Sequence, residues 1–227
     1  MVRFKVVNVH PPFIDPGLTK RISLVNTEHE TSSCVVICRN KDPFGGLLNM
    51  YSMPMEVNGI RFRSVEHLYQ ALRFPALPDL QRKINAHASP LMAKRCTLSF
   101  RDQGRPDWYD VKVPCMDWCL HVKLAWNYST FGSLLDTSGD KLIVETSPDG
   151  NFWGGVSLKK RDGTVPLWGA NVLGQLLMQL RDEYRVKPLA ELSTVFPLPI
   201  DGFLLFGESI KEVKGVEYQL GMFGRVG

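Results

Sequence analysis

The sequence predicts an α+β fold with helices in the middle of the chain and short strands toward both ends. Three observations carry this expectation. Short β-branched runs cluster in the first 40 residues and return after Lys187. The apolar period lengthens to that of a helix after Ser64. Between them, Asn171–Tyr184 places Leu173, Leu176, Leu177, Leu180 and Tyr184 on one core-facing helical stripe.

In chain order, Arg3–Val9, Ile22–Val25 and Cys34–Cys38 read as strands, separated by Pro-Pro, Asp-Pro-Gly and polar clusters. Met55–Arg63 reads as a hairpin in which Asn58-Gly59 supplies the positive φ angles of a type I′ turn. Ser64 is placed to cap a helix running to about Phe74, and Ser89-Pro90 to open another. Trp108–Tyr128 is helical, but Pro114 lacks an amide donor, so a kink or a split into two helices is expected there. Leu142–Glu145 is a short buried strand ahead of a Pro-Asp-Gly loop, and the chain after Lys187 returns to short, Pro- and Gly-punctuated β segments. Three regions follow: an N-terminal β-like extension (1–31), a predominantly helical central domain (32–186) and a C-terminal β-like extension (187–227).

The chain has 227 residues, enough to bury a substantial core, and an ordinary globular balance of 44% hydrophobic and 22% charged residues. No apolar run approaches the ~20 residues a membrane helix needs, and the N-terminus does not read as a secretory signal. A soluble, intracellular, cytoplasmic protein without a membrane partner is expected. Five cysteines without a CxxC suit free thiols in a reducing compartment. Cys115 and Cys119 share a helix face but make only half a zinc site, and His121 points elsewhere, so no metal is assigned. The segments 1–31 and 187–227 carry +1 and −1, so the net +4 resides in the central domain. That is compatible with a phosphate-bearing ligand or nucleic acid, and equally with neither.

Two stretches have the composition of a site. In SVEHLYQALRF (64–74), Glu66, Gln70 and Arg73 lie at i, i+4 and i+7, with Tyr69 beside Glu66, opposite the apolar stripe Val65, Leu68, Leu72. Glu66 falls in the first helical turn, where free amides favour its ionised form. Such a face is either one wall of a site for a cationic transition state or an ordinary solvated helix face. In LIVETSPDGNFWGG (142–155), a strand runs into a tight loop; Glu145 and Asp149 are placed to face a cleft, and Trp153 either stacks on a base or anchors the loop. GANVLG (169–174) lacks the glycine pattern of dinucleotide loops and the Lys-Ser/Thr of P-loops, although the helix start at Asn171 has amides suited to a phosphate. A zinc deaminase is excluded: Pro114-Cys115 is followed by Cys119, one residue too far, and there is no HxE. GxSxG and HExxH are also absent.

Taken in order, GGLLNMYS with Asn49, NGIRFRSVEHLYQALRF, SPLMAKR, MDWCLHVKLAW, LLDTSGDKLIVETSP…FWGG and GANVLGQLLMQLR resemble a NADAR (YbiA-like) domain over about residues 32–186. The resemblance implies N-glycoside hydrolysis without a cofactor. Similar proteins remove ADP-ribose from guanine in DNA, or cleave phosphoribosylamino-pyrimidine intermediates of riboflavin synthesis. The implied partner is therefore an ADP-ribosylated nucleic acid or a ribose-phosphate nucleobase substrate, with a non-catalytic ADP-ribose or NAD binder as the reading from another class. Carried across position by position, Glu66 and Asp149 are the candidate catalytic carboxylates. Asn49, Tyr69, Gln70, Arg73, Lys123, Trp153, Gly154, Asn171 and Arg181 are the candidate substrate-binding residues. The chain departs from the family pattern at Arg73, where lysine is usual, and at Gly150, which stands where an acidic residue usually precedes the tryptophan by three. A guanidinium cannot replace an amine nucleophile.

Overall fold

A computed structural model describes residues 22–147 and 150–215. The elements, in order, are β1 (Thr27–His29), β2 (Cys34–Ile37), β3 (Met55–Val57), β4 (Ile60–Phe62), α1 (Val65–Leu72), α2 (Pro78–Ala86), α3 (Pro90–Arg95), α4 (Trp108–Trp126), α5 (Tyr128–Thr137), β5 (Leu142–Glu145), β6 (Val156–Ser157), β7 (Leu167–Gly169), α6 (Val172–Val186), α7 (Leu189–Leu192), β8 (Thr194–Val195), β9 (Leu204–Leu205), β10 (Glu208–Ser209) and β11 (Val213–Lys214). The architecture is α+β, with small separate sheets set around a helical centre. No helix among the described residues is long and apolar enough to cross a membrane.

Local chemistry explains the elements the sequence announced. Asn58 and Gly59 take φ 53° and 75°, closing the β3–β4 hairpin in the register Val57↔Ile60. The α6 stripe is buried as its spacing requires: Leu173, Leu176, Leu177 and Leu180 lie in the core. Tyr184 packs on Tyr128 at 4.9 Å, above a glycine, Gly132, whose missing Cβ leaves room for the ring. β5 is a strand as expected and pairs in parallel with β2, Ile37 opposite Glu145.

Other expectations are corrected. Ile22–Val25 is not a strand; Ser23 instead exchanges two hydrogen bonds of 2.8 Å with the side-chain amide of Gln175, which stands in for a strand partner. Arg3–Val9 lies outside the described residues. Ser64 precedes α1, but its hydroxyl does not cap it; it donates to His67 Nδ1 at 2.8 Å, while His67 Nε2–H reaches the His87 carbonyl at 3.0 Å. Pro114 does not divide α4. The carbonyl left without a donor one turn earlier, on Asp110, is on an exposed residue open to solvent, so the helix continues through the proline. The break comes instead at Asn127, and α5 follows it.

α1 is the centre of the molecule. All eight of its residues are buried, enclosed by α2, α3 and α4, so the solvated face its spacing allowed does not exist. α6 packs on α5 and β5, and His121 of α4 is clasped to Glu183 of α6 at 3.2 Å. Burial opposes charge on His121, but Asp117 and Glu183 outweigh it and hold its pKa at about 9, while Glu183 is drawn down to about 2. The chain after α6 joins the same core through Leu192, Val195, Leu198, Phe203, Leu205, Ile210 and Val213.

Lys123 is wholly buried in α4. Its ammonium donates to the carbonyls of Gly46 (2.6 Å) and Leu48 (3.2 Å) and lies 4.2 Å from the Phe131 ring centroid. It therefore ties the 45–48 loop to the core and is not positioned as a solvent-reaching phosphate ligand. Lys123→Met leaves two buried carbonyls unpaired and is expected to lower stability by about 2–4 kcal/mol. Denaturant unfolding measures it; a loss under ~0.5 kcal/mol would mean the lysine is dispensable there.

Candidate functional site

The site forms where α1, α4 and the loop after β5 meet. Glu66 lies in the first turn of α1 and is only 6% exposed; its amide donates to the Asn49 carbonyl at 3.1 Å. Gln70, one turn on, donates from Nε2 to Glu66 Oε1 at 2.8 Å and accepts from the Thr97 hydroxyl at 3.3 Å, so the carboxylate is held in one orientation. Burial dominates and pushes the Glu66 pKa above the usual carboxylate range, against the Gln70 hydrogen bond and the charge of Lys94. This corrects the expectation that its place in the first helical turn would decide its charge: water loss outweighs the dipole.

Glu145 closes β5, near enough for the charge of Glu66 to act on it. Its pKa is raised to about 7, chiefly by burial and further by the charge of Glu66, with Lys94 opposing. Two carboxyls that feel one another ionise in sequence. Gln70 donates to Glu66, whereas no hydrogen bond favours the ionised form of Glu145, which retains its proton up to about 7.

Aromatic rings make the wall beside them. Tyr69 packs on Trp108 (centroids 5.0 Å) and meets Trp153 edge-on (5.7 Å, 86°); Trp153 meets Phe152 edge-on (5.0 Å, 89°). Lys112 of α4 lies over Phe152 at 3.8 Å. Burial raises the Tyr69 hydroxyl well above its ordinary pKa, so it remains a neutral phenol. Trp153 is half-buried and packed against the main core, so it meets the site wall and anchors its loop at once. Arg73 sits at the edge, 6.0 Å over the Trp108 ring and 5.4 Å over Phe74, donating to the Arg101 carbonyl at 3.3 Å.

Glycine and asparagine set the position of Glu145. A Cβ on Gly154 would stand 2.3 Å from the Glu145 carbonyl oxygen, so only glycine allows this approach. Gly155 N–H donates to that same oxygen at 2.7 Å. Asn171, in the left-handed conformation at φ 49°, donates from Nδ2 to the Ile143 carbonyl at 2.7 Å and accepts the Glu145 amide at 3.2 Å. Asn171 thus serves as a strand-like partner for β5, its side chain engaged with protein. Asn49 donates to Met116 Sδ at 3.2 Å, and its buried Oδ1 has no partner among the described residues.

Of the expected site residues, Glu66, Gln70, Tyr69, Trp153, Gly154 and Asn49 are brought together, with Arg73 at the margin. Arg181 is not: its guanidinium is occupied by the Ser138 hydroxyl and the Lys141 carbonyl, both at 2.9 Å, at the end of β5 remote from Glu145. Asp149 lies outside the described residues. Cys115 and Cys119 are buried thiols; burial pushes Cys115 to about 12 and Cys119 well above its usual value, so neither is a nucleophile or a ready metal ligand. Trp108, Lys112 and Phe152 were not singled out from the sequence. For Trp108 and Lys112 the signal was their spacing with Met116, which repeats at successive helical turns.

A family model described as NADAR domain matches residues 37–185. The chain is 36% identical over 187 residues to riboflavin biosynthesis protein PYRR, chloroplastic, of Zea mays, covering 76% of this chain and 27% of that protein. It is 34% identical over 139 residues to a riboflavin biosynthesis protein of Vibrio vulnificus, covering 61% and 35%. It thus spans about a third or less of these two relatives. N-glycosidase YbiA of Escherichia coli is 31% identical over 150 residues, 64% of this chain and 85% of that one. The solution structure of YbiA superposes with a TM-score of 0.53 at 26% identity, over 70% of this chain and 90% of that chain.

The raised Glu145 carboxyl has a consequence for stability. Between its ordinary value of 4.5 and about 7, the unfolded chain has released a proton that the folded chain still holds, so this group erodes stability as pH rises through that window. Glu145→Gln removes the effect. The melting temperature of the variant relative to wild type is expected to climb between pH 5 and pH 8; parallel curves would show that Glu145 is not perturbed.

Proposed function

The chain belongs to the NADAR domain family, and on that premise we propose that it hydrolyses the N-glycosidic bond between a nucleobase and a phosphate-bearing ribose. The observation that carries this proposal is a pair of neighbouring carboxyls beside an aromatic wall: buried Glu66, oriented by Gln70, and part-buried Glu145, raised to about 7. Cleaving such a bond requires a proton for the departing base and negative charge near the ribosyl carbon as it becomes cationic. Glu145, protonated toward neutral pH, donates the proton; Glu66, oriented by Gln70, supplies the charge. Water then adds to the ribosyl carbon and returns its proton to Glu145, restoring the starting state. Trp153 and Tyr69 give the base or sugar a flat apolar surface and exclude competing water. The name of the E. coli relative, N-glycosidase, supports the reaction class.

Within that class, ADP-ribose attached to guanine in DNA is the proposed substrate, on the strength of the family resemblance and the basic central segment. The second reading, an aminopyrimidine ribose phosphate of riboflavin synthesis, is favoured by the names of the maize and Vibrio relatives. Offering guanine-ADP-ribosylated oligonucleotides and the aminopyrimidine substrate in competition, and following ADP-ribose and ribose phosphate release, separates them. Binding of ADP-ribose with turnover of neither, by folded protein, would reject hydrolysis in favour of a binding module.

Glu66→Gln is expected to lower kcat by roughly 10²-fold or more while the protein stays folded, since the change is nearly isosteric. Wild-type turnover in that variant removes Glu66 from the mechanism. The pH profile of kcat/KM is expected to be bell-shaped. Its upper limb falls above about 7 as Glu145 loses its proton, and its lower limb marks the protonation of Glu66, above the usual carboxylate range. An upper limb absent to pH 9 would show that Glu145 is not the acid.

A further inference from the structure

One cation beside the aromatic wall has no carboxylate to answer it among the described residues. Trp108, Lys112 and Met116 stand at successive turns of α4. The first packs on Tyr69 at 5.0 Å, and the last receives the Asn49 amide at 3.2 Å. The helix face between them, which carries Lys112, is therefore turned to the site. The Lys112 ammonium is held between two rings, 3.8 Å from the Phe152 centroid and 5.3 Å from that of Tyr109. Phe152 is the neighbour of Trp153 in the loop that follows Glu145, and Tyr109 is largely exposed, at 79%. The clamp thus reaches from the site wall to solvent.

Other cations around the site and core are committed elsewhere. Arg73 is engaged with the Arg101 carbonyl, Lys123 with two loop carbonyls, Arg105 with Asp107 at 2.6 Å, and Arg181 with Ser138 and Lys141. Lys94 acts on both carboxyls. Lys112, by contrast, has no ion pair with any described carboxylate. Burial alone acts on its charge, lowering its pKa. A half-buried ammonium without a counter-ion is costly to maintain, and ring faces compensate only in part.

We infer that Lys112, clamped by Phe152 and Tyr109, is the anion subsite of this pocket and receives a phosphate ester carried on the substrate's ribose. The ligand class rests on the function proposed above; the subsite itself rests on the geometry of α4. Lysine suits the role as a compact point charge that accepts a phosphate in several orientations. The monoester of a ribose phosphate and the diphosphate of ADP-ribose present the same chemistry to it.

The test is binding, measured apart from turnover. Calorimetry with ribose, ribose 5-phosphate and ADP-ribose on wild type, Lys112→Met and Lys112→Arg gives the preference for phosphate in each. Wild type is expected to bind the phosphorylated ligands at least about tenfold more tightly than ribose, as one charge-assisted contact allows. Lys112→Met is expected to abolish that ratio, and Lys112→Arg to retain most of it. Loss confined to ribose 5-phosphate identifies the monoester as the occupant, and loss confined to ADP-ribose identifies the diphosphate. A phosphate preference unchanged in a folded Lys112→Met protein, or absent from wild type, overturns the inference. Because the measurement involves no bond cleavage, a Lys112-dependent preference without turnover would refute the hydrolase reading and leave the subsite standing. Turnover with a Lys112-independent preference would do the reverse.

Discussion

The site depends on how closely other parts of the chain approach the backbone of β5. A Cβ on Gly174 would stand 2.0 Å from the Ile143 carbonyl oxygen, and one on Gly154 would stand 2.3 Å from that of Glu145. A Cβ on Gly169 would stand 2.1 Å from the Gly154 oxygen. Two glycines thus let a helix and a loop approach β5, and a third lets β7 close on that loop, at distances that no side chain permits. Asn171 completes the grip, its amide bonding the strand on the side that β2 leaves open. Glu145 is in consequence held at the strand's end by contacts to its backbone. Burial there, reinforced by the charge of Glu66, is what keeps its proton on toward neutrality.

Features set by neighbouring residues were the most legible in the sequence. The Asn58-Gly59 turn, the leucine stripe of α6 and the strand 142–145 each follow from chemistry within a few positions. α2 was missed because its apolar residues Leu80 and Ile84 are few, and their partners come from α1 and α3. The two-residue strands after residue 193 carry too little pattern to read, and they pair across loops whose lengths reveal nothing in advance. In the site, the spacing of Glu66, Tyr69 and Gln70 showed which groups share a neighbourhood. It could not show whether that neighbourhood is wet, because the cover over α1 comes from distant helices. Charge misled in a similar way: Lys123 and Arg181 read as ligand contacts, yet both turn toward protein carbonyls. A sequence shows that a cation exists, and only the fold shows where it points.

The departure at Arg73 acquires a physical meaning in this setting. Its guanidinium spreads across Trp108 and Phe74 and bonds a carbonyl, which an ammonium would do less well. The position therefore supports the wall and contributes no nucleophile. In the proposed reaction the chemistry falls to the carboxyl pair, and the proposed recognition of an anion falls to α4.

The segment beyond α6 bears on what counts as one working unit. Asn58 in the hairpin turn donates to the Ser209 carbonyl and accepts the Lys211 amide, each within 3.0 Å. Gln81 bonds the Ala71 and Leu204 carbonyls and the Phe206 amide. These two side chains lie inside the stretch that the family model matches, yet four of their five partners lie past its end. Cutting the chain at residue 185 would strand both amides and uncover the core from Leu192 to Val213. The boundary visible to comparison is thus shorter than the cooperative unit, and the smallest piece that melts as one body extends at least to the end of β11.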